Sequence, residues 1–264
     1  MKLCRFELKT EPGVVRSGMV YAGKVYETDG ANAIAVHEAD AVRPLAPVPQ
    51  APSLRIFRND LQPLNQNDVD EPHFFYGNPA SVVGSNQVIS YPAFTTVVVA
   101  QPYLAAVVLT PGYRIDVSQA EGTILGLTLL CLLTSPRTEE AERRAGGGFG
   151  QSQDLGAALG PVLTTPEELD DFLVDQEFGR RYGLNGLTRV NRVERDRGNV
   201  QDLPWTFAEA ISAASQSSTI REGDIFAFGP VVDTDDPYLM QPGDEFQFSV
   251  ENLGTLSLKL SEIL

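Results

Sequence analysis

Hydrophobic and polar residues alternate near the start of the chain, which is the pattern of half-buried β-strands. Lys2–Leu8 follows this alternation, and two further short apolar segments flank Ala22-Gly23, which predicts a tight hairpin. Residues 31–38 instead fit a short helix. We therefore expect a small N-terminal β unit over residues 1–45.

A proline-rich stretch follows this unit. Four prolines occur within the ten residues 43–52, and such spacing favours an extended chain over a packed helix or strand. We interpret residues 46–52 as a linker and residues 53–264 as the main domain.

The main domain begins with apolar and β-branched runs, which are typical of strands in a buried sheet. The helix signals are fewer and shorter. One is the capping-box pattern in which Thr165 precedes Pro166 and Glu168. The predicted segments are strands over 95–100 and 104–109, a short helix and then an apolar strand over 118–133, helices over 138–145, 165–172 and 206–215, and short strands after residue 225.

Composition narrows the range of functions. The 264 residues include 20 Lys+Arg and 35 Asp+Glu, a net charge of −15, which argues against nucleic acid and against anionic membrane surfaces as partners. The longest nearly apolar run, residues 124–133, is far short of the roughly 20 residues that span a bilayer. Cys4 and Cys131 show no metal-type spacing, and the N-terminus shows no apolar signal core, so we expect reduced thiols in a cytoplasmic protein.

Several segments, taken in order, resemble the signature stretches of the fumarylacetoacetate hydrolase superfamily. The likeness covers nearly the whole chain. The segments are Ser53-Leu54-Arg55-Ile56-Phe57, residues 74–84 (FFYGNPASVVG), residues 150–155 (GQSQDL) with Leu159-Gly160-Pro161, Gly223-Asp224 with Phe228-Gly229-Pro230, and Gln241-Pro242-Gly243-Asp244 with Leu253-Gly254-Thr255-Leu256.

This resemblance implies an α+β, β-rich fold, a mixed β-sheet roll with a small N-terminal β unit, usually assembled as a dimer. It also implies a chemistry. Members hold Mg²⁺, Mn²⁺ or Ca²⁺ on carboxylates, and the metal orients and polarises a β-dicarbonyl substrate. A His–Glu pair in many members activates water, and a lysine stabilises the developing negative charge.

The residues that should carry this chemistry are replaced here. Carried over by the resemblance, the metal-binding acids fall on Ile56, Gln101, Tyr103 and Leu132, with Cys131 in place of the neighbouring asparagine. The general-base histidine falls on Pro63, and the lysine pair falls on Gln151 and Gln153. Even a lost outer-shell partner lowers metal affinity or activity about 10–100-fold. We therefore expect a member without the metal site, with no metal and no other cofactor.

Three functions stay open on these residues. The first is a non-catalytic interaction subunit, forming a homodimer or a hetero-oligomer with a related, active subunit. The second is a metal-independent enzyme or binder of a small polar ketone-type ligand in the altered pocket. The third is an ordinary hydrolase or decarboxylase of a β-dicarbonyl acid with its ligands elsewhere in the chain. The candidate pocket residues are Ile56, His73, Tyr76, Gln101, Tyr103, Leu132, Gln151, Gln153 and Asp154.

Two of these candidates, and one further group, have simpler interpretations. His73 fits a packed or surface histidine as well as a base. Asp154 fits a turn residue as well as a ligand-orienting one. The acidic group of Asp233, Asp235 and Asp236 lacks the glycine and distal glutamate of a calcium loop, so we interpret it as a solvated turn.

Overall fold

The architecture was obtained as a computed structural model, which describes residues 1–30, 32–58, 71–232 and 237–262. Strands dominate these residues. The strands are β1 (Lys2–Leu8), β2 (Glu11–Tyr21), β3 (Lys24–Thr28), β4 (Ala33–Glu38), β5 (Val42–Leu45), β6 (Leu54–Arg58), β7 (Phe75–Gly77), β8 (Val82–Gly84), β9 (Gln87–Ile89), β10 (Val99–Val108), β11 (Ile124–Thr134), β12 (Ala157–Thr164), β13 (Leu173–Asp175), β14 (Arg181–Tyr182), β15 (Asn185–Val190), β16 (Val193–Asn199), β17 (Ile225–Gly229), β18 (Glu245–Val250) and β19 (Gly254–Leu260). The α-helices are α1 (Val117–Ala120), α2 (Pro136–Arg144) and α3 (Phe207–Ser217).

A mixed sheet of twelve strands forms the centre of the described chain. Its order is β4-β3-β2-β1-β12-β11-β10-β17-β6-β7, with β5 paired to β1 and β8 to β12. A second sheet has the order β16-β15-β18-β19-β9, and β13 pairs with β14. The predicted α+β, β-rich class and the mixed sheets are confirmed.

The two faces of the large sheet bury different cores, because successive side chains of a strand point to opposite faces. Leu104, Ala106 and Val108 of β10 belong to the larger core, which also takes in the second sheet and the apolar side of α3. Tyr103, Ala105 and Val107 belong to a separate core on the other face. The candidate metal positions lie on this second face.

The N-terminal strands continue the large sheet through backbone hydrogen bonds. β1 pairs antiparallel with β12, with Lys2 opposite Thr164. The proline-rich segment then packs on the second core through Ala46, Val48 and Ala51. The proposed division at residues 46–52 therefore stays a prediction about domains, although these residues contact the main sheet.

Three local predictions need correction. The two strands predicted over residues 95–100 and 104–109 form one strand, β10, over Val99–Val108. The segment predicted as a helix over residues 31–38 forms strand β4 from residue 33, where it pairs with β3, because its alternating side chains suit a sheet. The segment after Thr165 is a 3-10 helix, Pro166–Phe172, without the predicted side-chain cap. The amino group of Met1 binds Thr165 Oγ1 at 2.7 Å and pairs with Glu168 at 3.0 Å instead.

The other helix predictions are confirmed by the structure. The segment predicted as a helix over residues 138–145 forms α2. Within it, Arg143 pairs with Glu139 and Arg144 with Glu140. The segment after residue 206 forms α3, which begins with a capping box at Thr206. None of the helices in the described ranges has the length and apolar character needed to cross a membrane.

Candidate functional site: an apolar cluster and an adjoining cleft

Strand register places the predicted metal positions on one face of the large sheet. Gln101 lies opposite Leu132 in the β10–β11 pair, and Tyr103 lies two residues further along β10. Ile56 pairs with Ala227 of β17, which in turn pairs with β10. Paired residues point to the same face of a sheet, so all four side chains share the second core's face.

Three of these four positions are fully buried in one apolar cluster. Ile56 and Tyr103 are 0 % exposed and Leu132 is 1 % exposed, and all three belong to the second core. The tyrosine ring needs the glycine opposite it, because a Cβ on Gly229 would lie 2.7 Å from Tyr103 Cδ1. The Tyr103 hydroxyl donates to Gln101 Oε1 at 3.1 Å.

These residues do not fit a hard divalent cation. Mg²⁺ and Ca²⁺ prefer oxygen ligands that include carboxylates, whereas Ile56 and Leu132 carry no donor atom. Gln101 and Tyr103 contribute one amide and one phenol, and the phenol is already bonded to the amide. Within the ranges that the structure describes, no group of three or more His, Cys, Asp or Glu side chains is placed to hold a metal ion.

A cleft of about 370 Å³ opens beside the apolar cluster, where β10 and β11 meet the start of α2. Its volume lies within the range of small-molecule sites, roughly 300–1,000 Å³. Gln101 connects the cluster to the cleft, since it lines the cleft and accepts the hydrogen bond from Tyr103. The cleft is lined by Arg58, Val99, Ala100, Gln101, Pro102, Thr134, Pro136, Glu139, Glu140, Arg143, Pro230, Val232 and Pro237.

Glu139 is the centre of the polar contacts in this cleft. Its carboxylate accepts from Arg58 at 2.8 Å, from Arg143 at 3.0 Å and from Gln153 Nε2 at 3.2 Å. The Arg58 and Glu139 side chains are only 6 % and 8 % exposed. The aromatic ring of Phe149 packs 5.3 Å from the Arg58 guanidinium.

Two buried polar atoms near the cleft have no hydrogen-bond partner among the described residues. One is Thr134 Oγ1, on a residue that lines the cleft, and the other is Gln153 Oε1, whose amide nitrogen binds Glu139. Buried polar groups are nearly always satisfied, so such exceptions point to functional sites or bound water. Cys131, next to Leu132, offers no nucleophile, because burial raises the pKa of its thiol.

The other predicted pocket residues lie outside this arrangement. His73 and Gln151 are exposed. Asp154 is also exposed and accepts a hydrogen bond from Asn78 Nδ2 at 2.8 Å, which links two turns. That contact is the turn role that was the simpler interpretation of Asp154.

Tyr76 faces away from the apolar cluster. It pairs with Arg55, whereas the next residue along β6, Ile56, pairs with Phe75. The Arg55 guanidinium lies 5.6 Å from the Tyr76 ring and binds buried Asp224 at 2.9 Å. The family-like segments that contain Arg55 and Asp224 therefore form a buried ion pair, which lies against the ring of Tyr76.

Some predicted residues lie outside the described ranges, and some cleft residues escaped prediction. Pro63 and the group of Asp233, Asp235 and Asp236 fall in the ranges 59–70 and 233–236, outside the description. Arg58 and Glu139 were missed as site residues. Glu139 was predicted only as part of the helix over residues 138–145, and the sole hint at Arg58 is its position at the end of the apolar segment that forms β6.

Fold and site together define a mixed β-sheet roll whose central sheet carries an apolar cluster and a polar cleft. The sequence profile described as "Fumarylacetoacetate (FAA) hydrolase C-terminal" matches residues 53–261. The chain therefore belongs to the fumarylacetoacetate hydrolase family, as the sequence resemblance predicted.

Solved structures share the fold, and a curated protein is similar in sequence. The chain superposes on 2-hydroxyhepta-2,4-diene-1,7-dioate isomerase from Mycobacterium marinum with a TM-score of 0.80, 19 % identity, and 99 % and 98 % of the two chains covered. Fumarylacetoacetate hydrolase from Exiguobacterium antarcticum gives 0.77 at 22 % identity, with both chains covered completely. An uncharacterised protein from Staphylococcus aureus is 24 % identical over 213 residues, which are 79 % of this chain and 67 % of the relative.

Proposed function

We propose that this chain has lost the metal-dependent hydrolase chemistry of its family and acts as a non-catalytic interaction subunit. It would form a homodimer or a hetero-oligomer with a related, active subunit, and it would need no metal or other cofactor. The observation that supports this proposal is the cluster of Ile56, Tyr103 and Leu132, fully buried at the positions where the family resemblance places metal-binding acids. A dehydrated apolar cluster excludes an unpaired divalent ion because desolvating the ion is very costly.

Retention of the complete fold supports the interaction role. The similarity to solved structures extends over the whole chain, with TM-scores of 0.77 and 0.80. A fold kept whole after its chemical residues have been replaced can still supply surfaces for assembly. On this proposal the sequence keeps the three-dimensional fold of the family and not its chemical residues.

The test is turnover with and without metal. The purified protein is mixed with acylpyruvates or oxaloacetate in the presence of Mg²⁺ or Mn²⁺, and substrate loss is followed by ultraviolet absorbance. The fumarylacetoacetate hydrolase from Exiguobacterium antarcticum, assayed with fumarylacetoacetate, provides the positive control. We expect no turnover above the protein-free rate, and size-exclusion chromatography with light scattering should give a dimer or larger species.

Metal-dependent turnover that a chelator abolishes would contradict the proposal and restore the ordinary hydrolase function. Stoichiometric divalent metal in the protein as purified would contradict it as well. A strictly monomeric protein that recruits no related subunit would remove the interaction role, while leaving the loss of hydrolase chemistry intact.

A second candidate function, binding of a small polar ketone-type ligand, is favoured by the cleft. Its volume of about 370 Å³ suits a small molecule, and Gln101 and Thr134 line it with hydrogen-bonding groups. Neutral amides and hydroxyls position carbonyl ligands but do not deprotonate them. A reaction that uses only Gln101 and Thr134 would therefore depend on positioning, as in an isomerisation or cyclisation.

A further inference from the structure

Strand β4 ends the large sheet with an unprotected edge. It is the first strand in the order of that sheet, and the described part of the chain places no strand on its outer side. An edge strand presents a row of backbone N–H and C=O groups to which a further strand can bind. Proteins commonly block such an edge with charged side chains, with proline or by keeping the strand very short.

The other strands at the margins of the two larger sheets are blocked in these ways. β7, β8 and β9 have only three residues each. β5 contains Arg43 and Pro44, and β16 carries four consecutive charged side chains over residues 194–197. β4 has six residues, and the first four, residues 33–36, include neither a charge nor a proline. It is therefore the strand best suited to accept a partner strand.

The exposed side chains of β4 continue an apolar row across the sheet. Val36 lies opposite Tyr26 of β3, which in turn lies opposite Met19 of β2. At the outer end of this row Val36 is 53 % exposed, and Ile34, on the same face of the strand, is 58 % exposed. Exposed apolar side chains that adjoin one another mark surfaces for protein contacts.

The titratable side chains of β4 itself lie at its carboxyl end and already have partners within the chain. Glu38 pairs with Lys24 at 2.8 Å. His37 contacts Glu27 at 2.8 Å. A strand that binds along residues 33–36 therefore meets backbone groups and apolar side chains, with no charged side chain of β4 between the two strands.

We propose that β4 pairs antiparallel with β4 of a second copy of this chain, about a twofold axis at Ala35. The inference rests on the interaction role proposed above, and it names the surface and the partner. Each strand offers the other the same unblocked edge, and the register places Ile34 opposite Val36 of the partner subunit, so that the apolar row continues into the second sheet. The same register keeps the two copies of Glu38 about 20 Å apart, beyond the screening length of about 8 Å at physiological salt.

Size-exclusion chromatography with light scattering tests the surface. Val36→Lys places a charge within the proposed contact at a side chain that is already half exposed, so the fold itself should tolerate it. We expect the molar mass of this variant to be half that of the wild-type protein at the same concentration, with a dissociation constant between copies at least tenfold higher. Val193→Lys is the matched control, because Val193 is 57 % exposed on the charged edge strand β16, and it should keep the wild-type mass. Circular dichroism checks that both variants are folded.

Two cysteine variants test the register. Residues directly opposite each other in an antiparallel pair have Cα atoms about 4.5–5.5 Å apart, a separation that suits a disulfide. The substituted residue of Ala35→Cys faces its copy at the proposed axis, so we expect mild oxidation to link two chains. That of Ala33→Cys lies four residues, about 13 Å, along the strand from its copy and should not link. Cys4 and Cys131 are buried and do not compete.

The inference is overturned if the wild-type protein is monomeric, or if folded Val36→Lys keeps the wild-type mass. It is overturned equally if Val193→Lys lowers the mass as much, or if Ala35→Cys links no more readily than Ala33→Cys. A wild-type oligomer that Val36→Lys leaves intact defeats this inference and leaves the interaction role to another surface. A monomer that also recruits no related subunit defeats the interaction role itself.

Discussion

Replacing Leu132 by aspartate tests the physical basis of the proposed loss of metal chemistry. The resemblance places a metal-binding acid at this position, whereas the structure places Leu132 in an apolar cluster with Ile56 and Tyr103. If the cluster is as apolar as its side chains, an acid here is unpaired and destabilising. If a metal site persists, the same acid strengthens it.

The expected loss of stability follows from the burial of Leu132 and from its neighbouring strands. Leu132 is 1 % exposed and lies between Gln101 and Ala157 on the flanking strands. Because both neighbouring strands hold the backbone in place, it cannot move to fill the cavity that a smaller side chain would leave. We expect Leu132→Ala to cost about 4 kcal/mol, within the usual range for core leucines. Leu132→Asp adds about 1–3 kcal/mol for an unbonded polar group, against a total stability of about 5–15 kcal/mol for a domain.

The stability of Leu132→Asp should change with pH in a definite direction. Burial without a partner raises the pKa of an introduced carboxyl above its unfolded value of about 3.9. A raised pKa means that the stability of Leu132→Asp falls as the pH rises above that value, by about 1.4 kcal/mol for each pH unit up to the folded pKa. The Ala variant lacks this dependence.

Urea unfolding followed by circular dichroism measures both variants near about pH 5 and about pH 8, with and without Mg²⁺. The control is Leu109→Asp, since Leu109 is 46 % exposed and its replacement should change stability by less than about 0.5 kcal/mol. The reasoning is refuted if Leu132→Asp is as stable as the wild-type protein, or if Mg²⁺ stabilises the Asp variant and not the Ala variant.

Three further predictions concern buried groups that do not line the cleft. Arg55→Gln leaves Asp224 buried without its partner and should cost about 3–5 kcal/mol in urea unfolding, whereas Arg197→Gln in an exposed pair should leave the midpoint unchanged; equal effects would contradict the argument. Burial raises the pKa of Cys4 to about 11 and also raises that of Cys131, so neither thiol should react with a disulfide reagent near about pH 8 until urea unfolds the chain. Stability should fall as the pH rises from about 9 to about 11, where Cys4 loses its proton only in the unfolded chain, and Cys4→Ala should reduce that loss.

The sheet could be predicted from sequence where the pattern is long and strongly apolar. The runs that became β10 and β11 contain almost no polar residues, which is how strands buried on both faces appear in sequence. The strand over Ala33–Glu38 was missed because its sequence, AIAVHE, fits a helix as well as an edge strand. Its pairing with β3 decided the outcome, and that contact is not encoded locally.

The apolar cluster of the candidate site could be predicted from the sequence, whereas the polar contacts of the cleft could not. The family resemblance aligned Ile56, Tyr103 and Leu132 with one site, and their identities then suggested an apolar cluster there. The pair of Arg58 and Glu139 joins positions 81 residues apart. Glu139 also pairs with Arg143 four residues later, so the local helix pattern accounts for it completely and hides its buried partner.

The apolar cluster and the ion pairs beside it have one physical consequence in common. A set of buried carboxylates is unstable without its cation, so a fold that carries one depends on metal for part of its stability. The buried side chains of Ile56, Tyr103 and Leu132 carry no carboxylate and require no such cation. Beside them, Glu139 pairs with Arg58 and Arg143, which are contacts within the chain itself. Packing and ion pairs within the chain thus stabilise both groups of side chains, and this is the physical basis of the proposal that the subunit needs no metal.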